Sequence, residues 1–425
     1  MATGLMPQSP VPLPACSPTD AAQAAPRAEV AVSARVPVLD GLRGIAILLV
    51  MVFHFWSYGV VLGGTLWDRV YSRAAGVGWT GVDLFFVLSG FLITGILYDS
   101  RNDAHYYRVF YGRRTVRIFP LYYAFLALFC GIVPMALGLL HHPELAPIHD
   151  STTAKVLAST YTLNWYEGFK GFNIVSASLR HFWSLCIEEQ FYLAWPFLVL
   201  TLTRRRLMAL CGVLMVVAFI LRIVSYRLQL PDAAYTWTIC RMDSLAVGAI
   251  VALAARNSDD WRLIAKWATR LTLPALLLVA PLLILQDLKT QFIPEQFALS
   301  SLQYSLLGIF FGGCLVMAMC AGEEGLTHRF LSSAFLRFFG RYSYCLYICH
   351  LPLIIVGAKI GLHSDRLAAV LGNKLLAIIA VNGIAFLIAI AIALASWNLF
   401  EKHWLKLKDL PFLQRTQPRT SNQRA

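Results

Sequence analysis

Residues 375–398 read LLAIIAVNGIAFLIAIAIALASWN, twenty-four positions without one charged side chain. A helix rises about 1.5 Å per residue, so about 20 apolar residues cross the ~30 Å hydrocarbon core of a bilayer. This stretch meets that length without a charge inside it. It therefore reads as a membrane-spanning helix. Similar runs recur over 38–58, 77–97, 119–140, 182–202, 207–225, 236–256, 271–287, 299–320 and 342–361. The expectation is an all-α integral membrane protein, a bundle of about ten transmembrane helices. The run at 271–287 is the weakest, being short and holding Pro274 and Pro281.

Composition agrees. Hydrophobic residues make up 58% of the 425 residues and charged ones 14%, against about 25% charged in a soluble domain. The net charge of +13 lies in short clusters between the apolar runs. That placement suits cytoplasmic loops beside spans and argues against a nucleic-acid surface. Lys and Arg are more numerous in the segments that fall on the cytoplasmic side when both termini are placed inside. Arg204, Arg205, Arg206 and the tail lysines Lys402, Lys406 and Lys408 then face the cytoplasm.

Residues 1–35, rich in Ala and Pro, read as a disordered cytoplasmic segment without a cleavable signal, so the first span serves as the anchor. Residues 36–402 form the transmembrane domain and 403–425 a basic cytoplasmic tail. Nine cysteines, eight of them in or beside spans, read as small core residues and not as a disulfide frame. The longest connection, 141–181, holds His141, His142 and His149. Without matching carboxylate or Cys spacing it reads as a polar loop, and no metal site is expected. No internal repeat, dinucleotide fingerprint or phosphate-loop lysine motif is found.

A charge at mid-helix costs about 2.5–3.5 kcal/mol on insertion scales and commonly marks a site or pathway. In the first span Arg43 and His54 are eleven residues apart, which is about three turns, so they share a face, with Asp40 near it. Asp83 sits in the second span, where Ser89 and Gly90 read as packing residues. Arg114 and Arg117 stand one turn apart before the third span. They serve either as topology charges or as forks for a phosphate-bearing ligand. His181, Ser184 and Glu188 fall at i, i+3 and i+7, while Glu189 points away. Arg241 and Asp243 in the sixth span either neutralise each other or bind substrate. Ser343, Tyr347 and His350 line one face of the ninth, where His350 either orients substrate or holds a neighbouring helix.

These blocks resemble the membrane-bound acyltransferase family 3, bacterial proteins that O-acylate surface glycans. The matching stretches are LDGLRG from Leu39 with His54 downstream, GVDLFFVLSGF from Gly81, RRTVRIFP from Arg113, HFWSLCIEEQFY from His181, RMDSLAVG from Arg241 and GRYSYCLYICH from Gly340. They run in family order over most of the chain. The resemblance implies a bacterial inner-membrane O-acyltransferase. It implies activity-linked roles for Arg43 and His54, a second arginine pair at Arg114 and Arg117, and an acidic role for Glu188. The family's closing Glu-x-Pro is Glu401-Lys402-His403 here, so Glu401 receives no role. Many relatives carry a soluble hydrolase-like domain after the spans. Its absence from these 425 residues implies that a second acyl-handling step uses a partner protein of glycan biosynthesis.

The chemistry expected is transfer of an acyl group, acetyl first, from acyl-CoA to a hydroxyl of a carbohydrate or glycolipid, with no permanently bound cofactor. An alcohol needs a positioned base. His54 fits, deprotonating either the acceptor hydroxyl or an intermediate nucleophile, with Glu188 or Asp83 orienting its ring. Arg43 either binds a donor phosphate or assists the thioester oxygen, Arg114 and Arg117 hold donor phosphates, and Trp183, Arg241, Asp243 and His350 bind substrate. Two other classes use the same buried charges. A transporter or flippase would move the acceptor without needing a donor, and a scaffold would tolerate loss of His54.

Overall fold

The structure is a computed structural model that describes residues 36–57, 66–141, 150–288, 297–360, 362 and 364–414. The expectations for residues 1–35, for His142 and His149, and for the end of the tail lie outside the described residues. Every regular element among the described residues is helical. Ten long helices follow the ten apolar runs: α1 (Pro37–Ser57), α2 (Gly81–Asp99), α3 (Tyr106–Leu126), α4 (Trp183–Thr201), α5 (Arg204–Arg227), α6 (Met242–Ala254), α7 (Ser258–Leu288), α8 (Phe297–Cys320), α9 (Ala334–Lys359) and α10 (Lys374–Ser396).

Among the described residues eight helices are long and apolar enough to cross a membrane, leaving out α4 and α6. At thirteen residues, α6 extends about 20 Å, short of the ~30 Å hydrocarbon core. The doubtful run at 271–287 belongs to a 31-residue helix with both prolines inside it. Prolines are tolerated in membrane helices because neighbours re-satisfy the freed backbone groups. Helix starts follow local chemistry. Pro37 opens α1, where its missing N–H costs nothing. The side chains of Thr203, Ser333 and Asn373 accept from backbone N–H groups three residues on, capping α5, α9 and α10.

Two close pairings set the frame, α1 against α9 and α2 against α6. Each needs glycine. A Cβ on Gly340 would lie 1.8 Å from the Asp40 carbonyl oxygen, and one on Gly90 would lie 2.0 Å from that of Leu245. Small residues permit such backbone contact between membrane helices. The packing reading of Gly90 therefore holds, whereas Ser89 is occupied otherwise, as described below.

The connection 141–181 is more than a loop. It contains helices Thr152–Ser159, Leu163–Lys170 and Ala177–Arg180. Helix Leu163–Lys170 packs on Pro231–Thr236 and on α4. Seven cysteines are free thiols among the described residues.

Candidate active site

The polar residues of the spans surround two cavities toward opposite ends of α1. The first, of about 120 Å³, is lined by Arg43, Ser89, Arg114, Arg117, Ser184, Glu188, Glu189, Tyr192, Ser343, Tyr344 and Tyr347, among others. Helix α1 supplies Arg43, α3 the second arginine pair, and α4 the two glutamates. Arg43 Nη1 pairs with Asp40 Oδ1 at 3.0 Å. Ser89 donates to Glu188 Oε1 at 2.5 Å and lies 3.2 Å from the Tyr192 hydroxyl. The Arg114 guanidinium sits 5.3 Å from the centre of the Tyr192 ring. Among the described residues neither Arg114 nor Arg117 forms an ion pair with a carboxylate.

The second cavity encloses about 520 Å³ and is lined by His54, His181, Arg180, Asp232 and Tyr347 together with the rings of Phe53, Trp79, Phe172, Trp183, Tyr235 and Tyr304. That volume lies within the about 300–1,000 Å³ usual for small-molecule sites. Its wall is a run of touching rings, with Trp183 to Tyr235 at 4.4 Å and Trp79 to Tyr304 at 5.8 Å. Val82 and Tyr347 line both cavities. The Tyr347 hydroxyl donates to the His181 carbonyl at 2.9 Å and lies 2.5 Å from Ser184 Oγ. A short hydrogen-bonded partition thus separates a charged chamber from an aromatic one. Eleven residues separate Arg43 from His54, which is about 16 Å along the helix axis.

Behind the aromatic wall lie two closed ion pairs. Arg241 Nη2 meets Asp83 Oδ1 at 2.7 Å with both side chains fully buried. Ser244 donates to the same oxygen at 3.0 Å. The Arg241 guanidinium lies 4.2 Å from the centre of Tyr304 and 5.4 Å from that of Tyr235. Arg222 Nη2 meets Asp243 Oδ2 at 2.8 Å, and Ser305 bridges the two.

This arrangement changes several expectations. Arg241 and Asp243 do not neutralise each other, because each pairs across helices, with Asp83 and Arg222. Neither lines the aromatic chamber; of the four residues expected to bind substrate, Trp183 does. His350 is fully buried behind His54. Neither Asp83 nor Glu188 reaches His54, since Asp83 is held by Arg241 and Ser244, and Glu188 lies in the other cavity. Arg43 also faces the charged chamber, so the shared stripe on α1 serves two cavities and not one.

Sequence reasoning passed over Arg222, whose signal was a cation inside the run 207–225. It also passed over Arg180, Asp232, Tyr235 and Tyr304, which carry no signal in isolation. Glu167 was passed over too. It is fully buried, and both carboxyl oxygens lack a hydrogen-bond partner among the described residues. It lies outside the spans, and burial, opposed in part by Arg180, pushes its carboxyl well above the ordinary range. No group of three or more metal-ligating side chains occurs among the described residues.

Residues 36–397 match the model of the family described as an acyltransferase domain. The chain belongs to that family. The chain is 29% identical over 343 residues to the protein YrhL of Bacillus subtilis (strain 168), covering 76% of this chain and 49% of the relative. It is 28% identical to the O-acetyltransferase OatA of Staphylococcus aureus (strain NCTC 8325 / PS 47), covering 75% and 51%. It is 33% identical over 172 residues to the peptidoglycan O-acetyltransferase OatA of Listeria monocytogenes serovar 1/2a (strain ATCC BAA-679 / EGD-e), covering 38% and 24%. The chain thus spans about half the length of the curated relatives it matches over most of its own length. No solved structure matches it. Apolar helices and family together make it a multi-pass membrane protein.

Proposed function

We propose that this acyltransferase moves an acetyl group from acetyl-CoA to a hydroxyl of a cell-surface glycan. The observation that carries the reading is the division of labour between the cavities. Arg114 and Arg117, which form no ion pair among the described residues, line one with Arg43, histidines and aromatic rings line the other, and the two meet at Val82 and Tyr347. Arginine forks suit the phosphates of a coenzyme. Aromatic faces beside a few polar groups suit a carbohydrate ring. The O-acetyltransferase names of the relatives supply the acyl group. A transporter would not account for membership of an acyltransferase family.

In this reading Arg114 and Arg117 hold the donor phosphates, and the pantetheine arm carries the thioester past Arg43 toward the partition. His54 Nε2 removes the proton from the acceptor hydroxyl as that oxygen bonds to the thioester carbonyl carbon. The carbon–sulfur bond then breaks. The leaving thiolate takes the same proton back from the imidazolium, so the ester and free coenzyme A are the products and His54 returns to its starting form. A positioned base of this kind contributes about 10²–10⁴-fold.

With both termini on the cytoplasmic side, the arginine cavity faces inward and the histidine cavity outward. Donor and acceptor then arrive from opposite faces. The test is transfer in sealed, oriented vesicles supplied with acetyl-CoA on one side and glycan acceptor on the other. Product should form only with donor on the cytoplasmic face and acceptor outside. Turnover with both on the cytoplasmic face, or with neither orientation, would sink the reading. Mass spectrometry of envelope glycans with and without the protein would identify the acceptor.

A further inference from the structure

His54 has no carboxylate to hold it, yet its ring is not free to choose a tautomer. Nδ1 of His54 lies 2.9 Å from the Val50 carbonyl oxygen and 3.2 Å from Nε2 of His350. Nδ1 of His350 lies 2.6 Å from the Tyr347 carbonyl oxygen and 3.2 Å from that of Leu346. A carbonyl oxygen only accepts. His350 Nδ1 therefore carries the hydrogen, and in the neutral ring its Nε2 keeps the lone pair. His54 Nδ1 then faces two acceptors, the Val50 carbonyl and that lone pair, so it too carries its hydrogen. The remaining nitrogen, His54 Nε2, is left unprotonated and makes no hydrogen bond among the described residues. His54 itself lines the aromatic cavity.

We infer that His350 is a positioning residue that holds His54 as the Nδ1–H tautomer and accepts from its Nδ1–H when the ring becomes cationic. The inference rests on the reading of His54 as the base and deepens it. A neutral imidazole, itself fixed by its own helix backbone, takes the place that a carboxylate holds in hydrolase triads. His181 completes the enclosure. Its ring stands 5.0 Å from that of His350, edge to face, and its Nε2 lies 3.3 Å from the Ile348 carbonyl oxygen. The second histidine also explains why Asp83 and Glu188 can be committed elsewhere. A buried neutral acceptor avoids placing a carboxylate beside a base in a poorly solvated site, where its charge would be costly.

The test uses the full chain in lipid nanodiscs. Selective ¹⁵N-histidine labelling reads which ring nitrogen carries hydrogen, and His54→Gln assigns the His54 signals by their loss. His54 should show a protonated Nδ1 and an unprotonated Nε2. The opposite tautomer, or a mixture of both, would overturn the inference without any need for a folded variant. Kinetics supply the second arm. His350→Leu, which removes the acceptor, should lower kcat at least tenfold with KM for donor and acceptor unchanged within twofold. His350→Gln, whose amide oxygen can accept from His54, should recover most of that loss. Equal losses in the two variants would make His350 a packing residue, and a raised acceptor KM at unchanged kcat would make it a substrate contact; either result overturns the inference. Failure of the base reading is separately visible, because it would leave His54→Ala active.

Discussion

The charged cavity and the ion pairs behind the aromatic wall both hold arginine in a membrane helix bundle, but only the arginines of the ion pairs are fully buried. Arg241 and Arg222 each meet an aspartate within 2.8 Å and are sealed from both cavities. Arg114, half-buried, and Arg117, exposed, line open space beside Glu188 and Glu189 and form no ion pair among the described residues. Buried charge is costly unless it is paired. A fully buried, paired arginine is therefore accounted for by the fold, whereas one beside a cavity without an ion pair stays available to whatever enters it. The comparison divides the intramembrane charges of this protein into structure and site, which their positions along the chain do not.

The largest expected effect falls on the histidine side of the partition. His54→Ala should lower kcat by about 10²–10⁴-fold while the protein still inserts and purifies as wild type. Near-normal turnover in reconstituted vesicles would remove His54 from the chemistry. The closed pairs should behave in the opposite way. Arg241→Leu leaves Asp83 buried alone, and breaking such a pair costs about 3–5 kcal/mol. The yield of folded protein and its thermal stability should fall sharply. A stable but inactive Arg241→Leu variant would move this pair from structure to site and break the comparison.

The charged cavity is tested by donor binding. A charge-assisted hydrogen bond contributes about 1.5–3 kcal/mol, so Arg114→Gln and Arg117→Gln should each weaken acetyl-CoA binding about ten- to a hundredfold. Stability and acceptor KM should change little. Unaltered donor affinity in both variants would leave the pair as a topology signal alone. In the aromatic cavity, Trp183→Leu should raise acceptor KM about two- to tenfold, from the about 0.5–1.5 kcal/mol of an aromatic contact. A change in donor KM instead would place the donor in that chamber.

The smallest effect concerns Glu167, the third kind of buried charge. Burial raises its folded-state pKa above the unfolded value. The folded state then binds more protons than the unfolded one at pH values between the two, and stability falls as pH rises through that window. Thermal unfolding should show this slope in the wild type, and it should flatten in Glu167→Gln. An unchanged slope in that variant would assign the pH dependence to another group.

Much of this division was legible in part. Arg43, His54, Asp83, Arg114, Arg117, Glu188, Arg241 and His350 stand out because polar side chains are rare in apolar runs, and the structure brings most of them to the two cavities or directly behind one. Their partners were not legible. Asp83 and Arg241 are 158 residues apart in sequence, and His54 and His350 are 296 apart. The adjacency of Arg241 and Asp243 suggested a local pair because sequence distance was the only distance available.

The sequence by itself determined that the chain is a helical membrane protein, which residues lie at costly depth, and which family it joins. Hydrophobic length and insertion cost are properties of single segments and need no partner. The tertiary structure decided which charges cancel, that the stripe on α1 is shared between two chambers, and that a histidine supports His54 where a carboxylate was expected. Those outcomes depend on which helices meet. Here that follows from the close approaches at Gly340 and Gly90, where the absence of a side chain lets backbones touch. Such contacts join segments far apart in the chain, so no periodicity within one helix announces them.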